Sequence, residues 1–174
     1  MAYLLFKCWH ERLFHLNRDE LHPCHTEAKV EFVPIDEQNA GLVANLRGDT
    51  YVEQFKNQLR MGDFGYYAFL DGKPVAYGFV KHQGSDDYFY RIGDGCLYLC
   101  RFFTHEGARG KGIYPALITA LIEREADCRS FYICTERGNV ASERGLLKVG
   151  FQFIGEYGFI RGFKHTFNKK KLKK

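Results

Sequence analysis

An α/β (α+β) fold, a sheet of short strands backed by helices, is what this sequence predicts, and three observations predict it. Aromatic and β-branched runs with strand character alternate with segments whose apolar residues recur at helical spacing. An Asp71-Gly72 pair joins two aromatic runs as a hairpin turn does. A glycine-rich loop, Arg109 to Gly112, separates an apolar strand from a helical pattern. The elements run strand, two helices, three strands, helix, strand, helix, two strands, with neither internal repeat nor linker.

The totals bound the answer further. A chain of 174 residues holds one sizeable core. One domain is expected over 1–168, its first 27 residues an extension packed on it, with 169–174 a basic disordered tail. Apolar residues make up 45% and charged residues 26%, which excludes disordered and low-complexity classes. No run approaches the roughly 18 to 20 apolar residues of a membrane span. "MAYLLFKCWHERL" meets Lys7, His10 and Glu11 too early for a signal-peptide core, so the cytoplasm is the expected compartment. The net charge of +4 owes much to the five lysines between Lys169 and Lys174. A short terminal basic run is most often a solvated end and less often a contact with anionic lipid or nucleic acid, so no nucleic-acid partner and no membrane span are expected.

The first segment, Met1 to Thr26, carries Cys8, His10, His15, His22, Cys24 and His25. Zinc ligands come in close pairs followed by a second pair; "CWH" and "HPCH" meet that only loosely, so no metal is expected. The segment instead reads as an extra strand or hairpin on the sheet edge. Cys96, Cys100, Cys128 and Cys134 likewise lack paired spacing and are expected as thiols without disulfides.

"AKVEFVPID" then alternates as a half-buried strand, and Asp36 can cap the helix that follows. In "TYVEQFKNQLRMG" Val52, Phe55 and Leu59 share one helical face, with Asp49 or Thr50 as cap. The hairpin "FGYYAFLDGKPVAYGFVKHQ" and a polar loop holding Tyr88, Phe89 and Tyr90 lead to the strand Cys96–Thr104. After the glycine loop and its helix come the strand "RSFYICTE", the helix "NVASERGLLKVG" ended by Gly150, and a final pair of strands in "FQFIGEYGFIRGFKHTF".

The loop of Arg109, Gly110, Lys111 and Gly112 leaves backbone N–H groups unpaired at the positive end of a helix, which is an anion site suited to a diphosphate. It is neither a Walker loop nor a dinucleotide fingerprint. Pro115 is at home in a first turn. Twenty-seven residues past Gly112, Asn139, Ser142, Lys148, Gly150 and Phe151 stand in the register N-x-x-[AS]-x-x-x-[YL]-x-K-x-G-F. Together the two motifs resemble those of the GCN5-related N-acetyltransferase (GNAT) superfamily, over about Ala28 to Phe167.

The resemblance implies a mixed, mostly antiparallel central sheet whose fourth and fifth strands splay apart, and acetyl-CoA as cosubstrate. Its implied cofactor contacts are the loop residues Arg109, Gly110, Lys111, Gly112, Ile113 and Tyr114, the strand edge Phe102, Phe103 and Thr104, and the helix residues Asn139 and Ser142. It implies transfer of acetyl to a primary amine, here of a small molecule such as an amino sugar or other metabolite, by direct attack in a ternary complex. A non-catalytic CoA-binding relative and a protein N-acetyltransferase are the alternatives, and a homodimer stays open.

Two positions depart from the family pattern. Tyr114 stands where the family keeps Gly or Ala, so its ring either crowds the phosphate site or turns outward. Leu146 stands where many members have the tyrosine that protonates the leaving thiolate; Ser142, Cys134, Tyr157 and water are the candidates to replace it. Glu136, Asp94, Glu106 and His105 are the candidate bases for the acceptor amine. Arg101, a charge inside an apolar strand, either contacts an acidic group of the acceptor or faces outward. Stabilisation of the developing oxyanion falls to a main-chain N–H.

Overall fold

A computed structural model of the chain describes residues 8–81 and 95–160, with side chains described from 10 to 81 and from 95 to 156. The strands are β1 (Cys8–Asn17), β2 (Val30–Pro34), β3 (Phe64–Leu70), β4 (Lys73–Lys81), β5 (Cys96–Thr104), β6 (Ser130–Glu136) and β7 (Gln152–Ile160). The helices are α1 (Ala44–Arg47), α2 (Thr50–Arg60), α3 (Ile113–Arg124) and α4 (Val140–Val149). All seven strands form one sheet in the order β2-β3-β4-β5-β6-β1-β7. Neighbours are antiparallel except β5 and β6, which are parallel. This is the mixed, mostly antiparallel sheet expected.

Local chemistry accounts for most element ends. Asp71 at φ 51° and Gly72 at φ 73° both occupy the left-handed region, as the expected hairpin turn requires. The Asp36 carboxylate accepts from the N–H groups of Gln38 and Asn39 at 2.9 Å, opening a 3-10 turn (Ala40–Val43) that runs into α1. Neither Asp49 nor Thr50 caps α2 through its side chain. Asn139 does cap α4, accepting from Ser142 N–H at 3.2 Å, and Gly150 at φ 105° closes it.

The two faces of the sheet bury separate clusters. α3 presents Ile113, Leu117, Ile118, Leu121 and Ile122, all within 1% of full burial, to Leu97, Leu99, Phe131 and Ile133. On the other face Phe55 of α2 stands edge-on to Tyr77 and Phe79, each at 4.8 Å between ring centroids, beside Tyr67.

The N-terminal segment is a strand, as expected, but its place differs. β1 lies inside the sheet, between β6 and β7, rather than on an edge. The reason is burial from both sides: Leu13 and Leu16 are 0% exposed and Phe14 1%, which an edge position cannot supply. Arg12 makes this tolerable by pairing with Glu143 of α4. Of the expected final pair of strands, β7 is present; the second lies outside the described residues.

Candidate functional site

The site starts where β5 and β6 part. Their parallel ladder covers only Cys96–Leu99 against Ser130–Ile133. Beyond it, β6 pairs through Cys134, Thr135 and Glu136 with β1 alone, so the edge of β5 from Cys100 to Thr104 faces a gap. Here lies the splay expected between the fourth and fifth strands, now β5 and β6 because β1 precedes them, with Phe102, Phe103 and Thr104 on the open edge.

A bulge shapes this edge. Tyr77 pairs with Phe103 and Phe79 with Cys100, so β5 spends one extra residue there. Arg101 takes φ 55° at the bulge and reaches Gln54 of α2 at 3.3 Å. Phe102 crosses to the other face over Gly78, where a Cβ would stand 2.3 Å from its ring. The outward position is therefore the observed one for Arg101.

The glycine loop follows. Gly110 (φ 77°) and Gly112 (φ 73°) are both left-handed, and Gly112 is the N-cap of α3 without a side-chain cap of its own. The first N–H groups of α3 have no intrahelical partner. Lys111 and Arg109 are exposed, Arg109 donating Nε to the Thr104 carbonyl at 3.2 Å. The N-terminal segment grips the loop: Thr26 Oγ1 donates to the Lys111 carbonyl at 2.6 Å. The Ile113 side chain is core, 1% exposed, so only its main chain faces the loop.

Tyr114 turns inward, not outward. Its ring stands edge-on to Phe102 at 5.3 Å between centroids, and its hydroxyl hydrogen-bonds the Ser142 hydroxyl at 2.9 Å. Burial pushes the phenol up to about 12, with the Ser142 bond pulling the other way. Room for the ring comes from Gly145, where a Cβ would lie 2.6 Å from Tyr114 Cδ1. Gly145 was not among the expected site residues; its signal in the sequence is a glycine inside a helix, costly by about 1 kcal/mol and so kept for packing.

The proton-transfer candidates divide by place. Glu136 is exposed at the end of β6, opposite Glu11 of β1, a half-buried carboxylate that sequence reasoning did not single out. Cys134 lies next to Tyr98, whose hydroxyl is held well above its ordinary range by burial first and by Cys134 second. Leu146 is 0% exposed in the core. His105 and Glu106 are exposed in the turn before the loop, the His105 ring accepting from Gly107 N–H. Asp94, Tyr88, Phe89, Tyr90 and the Tyr157 side chain lie outside the described residues. Among the described residues no three His, Cys, Asp or Glu side chains converge as metal ligands.

Known proteins share this architecture. The sequence model of the acetyltransferase (GNAT) family matches residues 19–151. Spermine/spermidine N(1)-acetyltransferase of Bacillus subtilis is 32% identical over 85 residues, 47% of this chain and 56% of that protein. The match thus spans little more than half of that relative. Among solved structures, a functionally unknown conserved protein from Staphylococcus epidermidis superposes with a TM-score of 0.67 at 16% identity, over 90% of this chain and 62% of that one. AAC(6′)-Iy in complex with the bisubstrate analogue CoA-S-monomethyl-acetylneamine gives 0.58 at 17% identity, over 72% and 92%. At such identities the likeness shows the fold.

Proposed function

We propose, from the premise that this chain belongs to the acetyltransferase (GNAT) family, that it is an acetyl-CoA-dependent N-acetyltransferase acting on a primary amine of a small molecule by direct attack in a ternary complex. The observation that carries the reading is the unpaired edge of β5 running into the glycine loop at the head of α3. The reading takes residues 1–168 as one domain; the tail expected over 169–174 lies outside the described residues.

Acetyl-CoA, when bound, supplies the thioester acetyl group. The chain's residues fit it at two places. At Gly110 nothing stands within 4 Å of where a Cβ would be, so the main chain is open to close approach, and the N–H groups from Gly110 to Tyr114, with Arg109 and Lys111 beside them, hold a diphosphate. The edge of Phe102, Phe103 and Thr104 aligns the pantetheine arm, and Asn139 Nδ2, which its capping bond leaves unused, adds a donor. The Tyr114 ring stands beside both places, against Phe102 of the edge and Ser142 of α4.

An acceptor amine arrives as an ammonium and must lose a proton before it attacks. The reading assigns Glu136 to accept that proton, with Glu11 opposite it as the second carboxylate on the same face. Ser142, beside Tyr114, and Cys134, beside Tyr98, are the groups this reading assigns to return a proton to the leaving group. The Tyr114 phenol, pushed up to about 12, stays protonated at neutral pH and shares a hydroxyl–hydroxyl hydrogen bond with Ser142. The named activities of the Bacillus subtilis relative on spermine and spermidine and of AAC(6′)-Iy on aminoglycosides support a small-molecule amine as acceptor.

Calorimetry with CoA and acetyl-CoA tests the reading: binding by the parent and its loss in Gly112→Glu are expected. A parent that binds neither, or a variant that binds as the parent does, sinks it. Thiol release with a panel of amines separates a transferase from a CoA-binding module.

A further inference from the structure

We infer that the cleft between α2 and the β5 bulge is an acceptor subsite for a carboxylate, so that the amine this chain acetylates is of amino-acid type rather than a polycation. The inference rests on the transferase reading and names the class of its acceptor. The cleft measures about 360 Å³ and is lined by Gln54, Asn57, Gln58, Arg60, Met61 and Arg101.

Position is the first argument. The last ladder pair between β5 and β6 is Leu99 with Ile133, so Arg101 belongs to the open stretch of β5, next to Phe102. The bulge hands Phe102 to the α3 face and leaves Arg101 on the α2 face, hydrogen-bonded to Gln54. One short segment thus serves both the passage for the cofactor arm and the cleft.

Charge is the second. None of the six lining residues is acidic. No ion pair joins Arg101 to a described carboxylate; its hydrogen bond is to a neutral amide at 3.3 Å. Arg60 divides itself between Asn57 Oδ1 at 2.5 Å and Glu53 at 2.7 Å, the latter an exposed pair that holds weakly. A guanidinium presents a planar fork of donors that a carboxylate accepts in bidentate fashion. A polyamine would meet like charge here instead.

Gln58 adds a third feature: it is 3% exposed, and its Oε1 is buried and has no hydrogen-bond partner. A buried acceptor without a donor is costly, and because Gln58 lines the cleft, a small turn of its side chain would bring that oxygen to an N–H of the ligand. A guanidinium for an anion and a carbonyl oxygen for an adjacent N–H together describe an amino-acid-like ligand.

The test is a titration of the uniformly ¹⁵N-labelled chain, without CoA, following arginine side-chain Nε–H resonances. The probes are N-acetyl amino acids with small, aliphatic and aromatic side chains, each against its carboxamide, with spermidine as the polycation. At least one acid is expected to shift the Arg101 resonance saturably and to bind about ten-fold more tightly than its carboxamide. Arg101→Gln is expected to erase that preference while its calorimetric affinity for CoA stays at the parent's value. In turnover, amines bearing a carboxylate are expected to outrun spermidine. Equal binding of every acid and its amide, an undiminished preference in Arg101→Gln, or spermidine as the better ligand overturns the inference. Because the titration needs no CoA, these failures leave the transferase reading standing, whereas a parent that fails to bind CoA strikes that reading alone.

Discussion

The two faces of the sheet are built from the same strands and treat polar groups in opposite ways. On the α3 face Phe14, Leu97, Leu99, Leu117, Ile118 and Phe131 close around one another with no charged side chain among them. On the α2 face an aromatic cluster shares its space with Lys81 and Asp63, each 3% exposed and 4.0 Å apart, and with Gln58. Cys100 stands there too, its thiol pushed up to about 12 by burial first, with the Lys81 and Arg101 charges opposing. A buried ion pair roughly breaks even against an apolar pair of the same volume. The apolar face accordingly carries stability, and the mixed face carries positions that stability alone does not require, around the cleft.

That contrast is sharpened by mutations made one face at a time. Leu117→Ala, on the apolar face, is expected to cost about 4 kcal/mol in urea unfolding, with no second-site partner able to restore it. Asp63→Asn removes the carboxylate that stands 4.0 Å from the buried Lys81 ammonium and is expected to cost about 3 kcal/mol. The double change Asp63→Leu with Lys81→Met is expected to return close to the parent; if it stays as unstable as Asp63→Asn, the two faces are not different in kind. Gly145→Ala pushes a methyl into the Tyr114 ring and is expected to cost about 2 kcal/mol, relieved when Tyr114→Ala is added. Tyr114→Phe gives up only the Ser142 bond, a loss of about 1 kcal/mol.

The smallest effect concerns His15, on the α2 face of β1, its ring 4.7 Å from that of Tyr132 and its Nε2 2.5 Å from the Ser130 hydroxyl. Burial holds it below its ordinary 6.5, with Glu20 opposing. The folded state therefore resists the proton that the unfolded chain accepts, so stability is full above pH 6.5 and declines as pH falls below it. His15→Gln is expected to flatten that decline in melts taken between pH 7 and pH 5; an unchanged slope removes His15 from the account.

What could be read from the residues was what short stretches decide. Asp71-Gly72 sets its own turn, Gly110 and Gly112 set their own backbone, and Asn139 caps the helix it begins. The strand gap was legible only through the resemblance, because no side chain announces an unpaired edge. The direction of the Tyr114 ring depends on a vacancy at Gly145, on another helix, and nothing near Tyr114 reports it. The place of β1 was misread for a similar reason: its pattern says strand, while its neighbours are chosen by segments far along the chain. Glu11 went unnoticed with it, since its interest comes from standing opposite Glu136.

That first strand also sets a problem of timing. Asn17 pairs with Ser130 and Cys8 with Ile160, so during synthesis β1 leaves the ribosome well before either of the two strands it pairs with. Until both have emerged Leu13, Phe14 and Leu16 are water-facing and open to wrong pairings, and β6, once made, offers an unclaimed edge of its own. Closing so long a loop is slow compared with zipping the β3–β4 hairpin. Refolding should therefore wait on the arrival of the amino-terminal strand, and a nascent chain arrested before β7 is the species most in need of a chaperone.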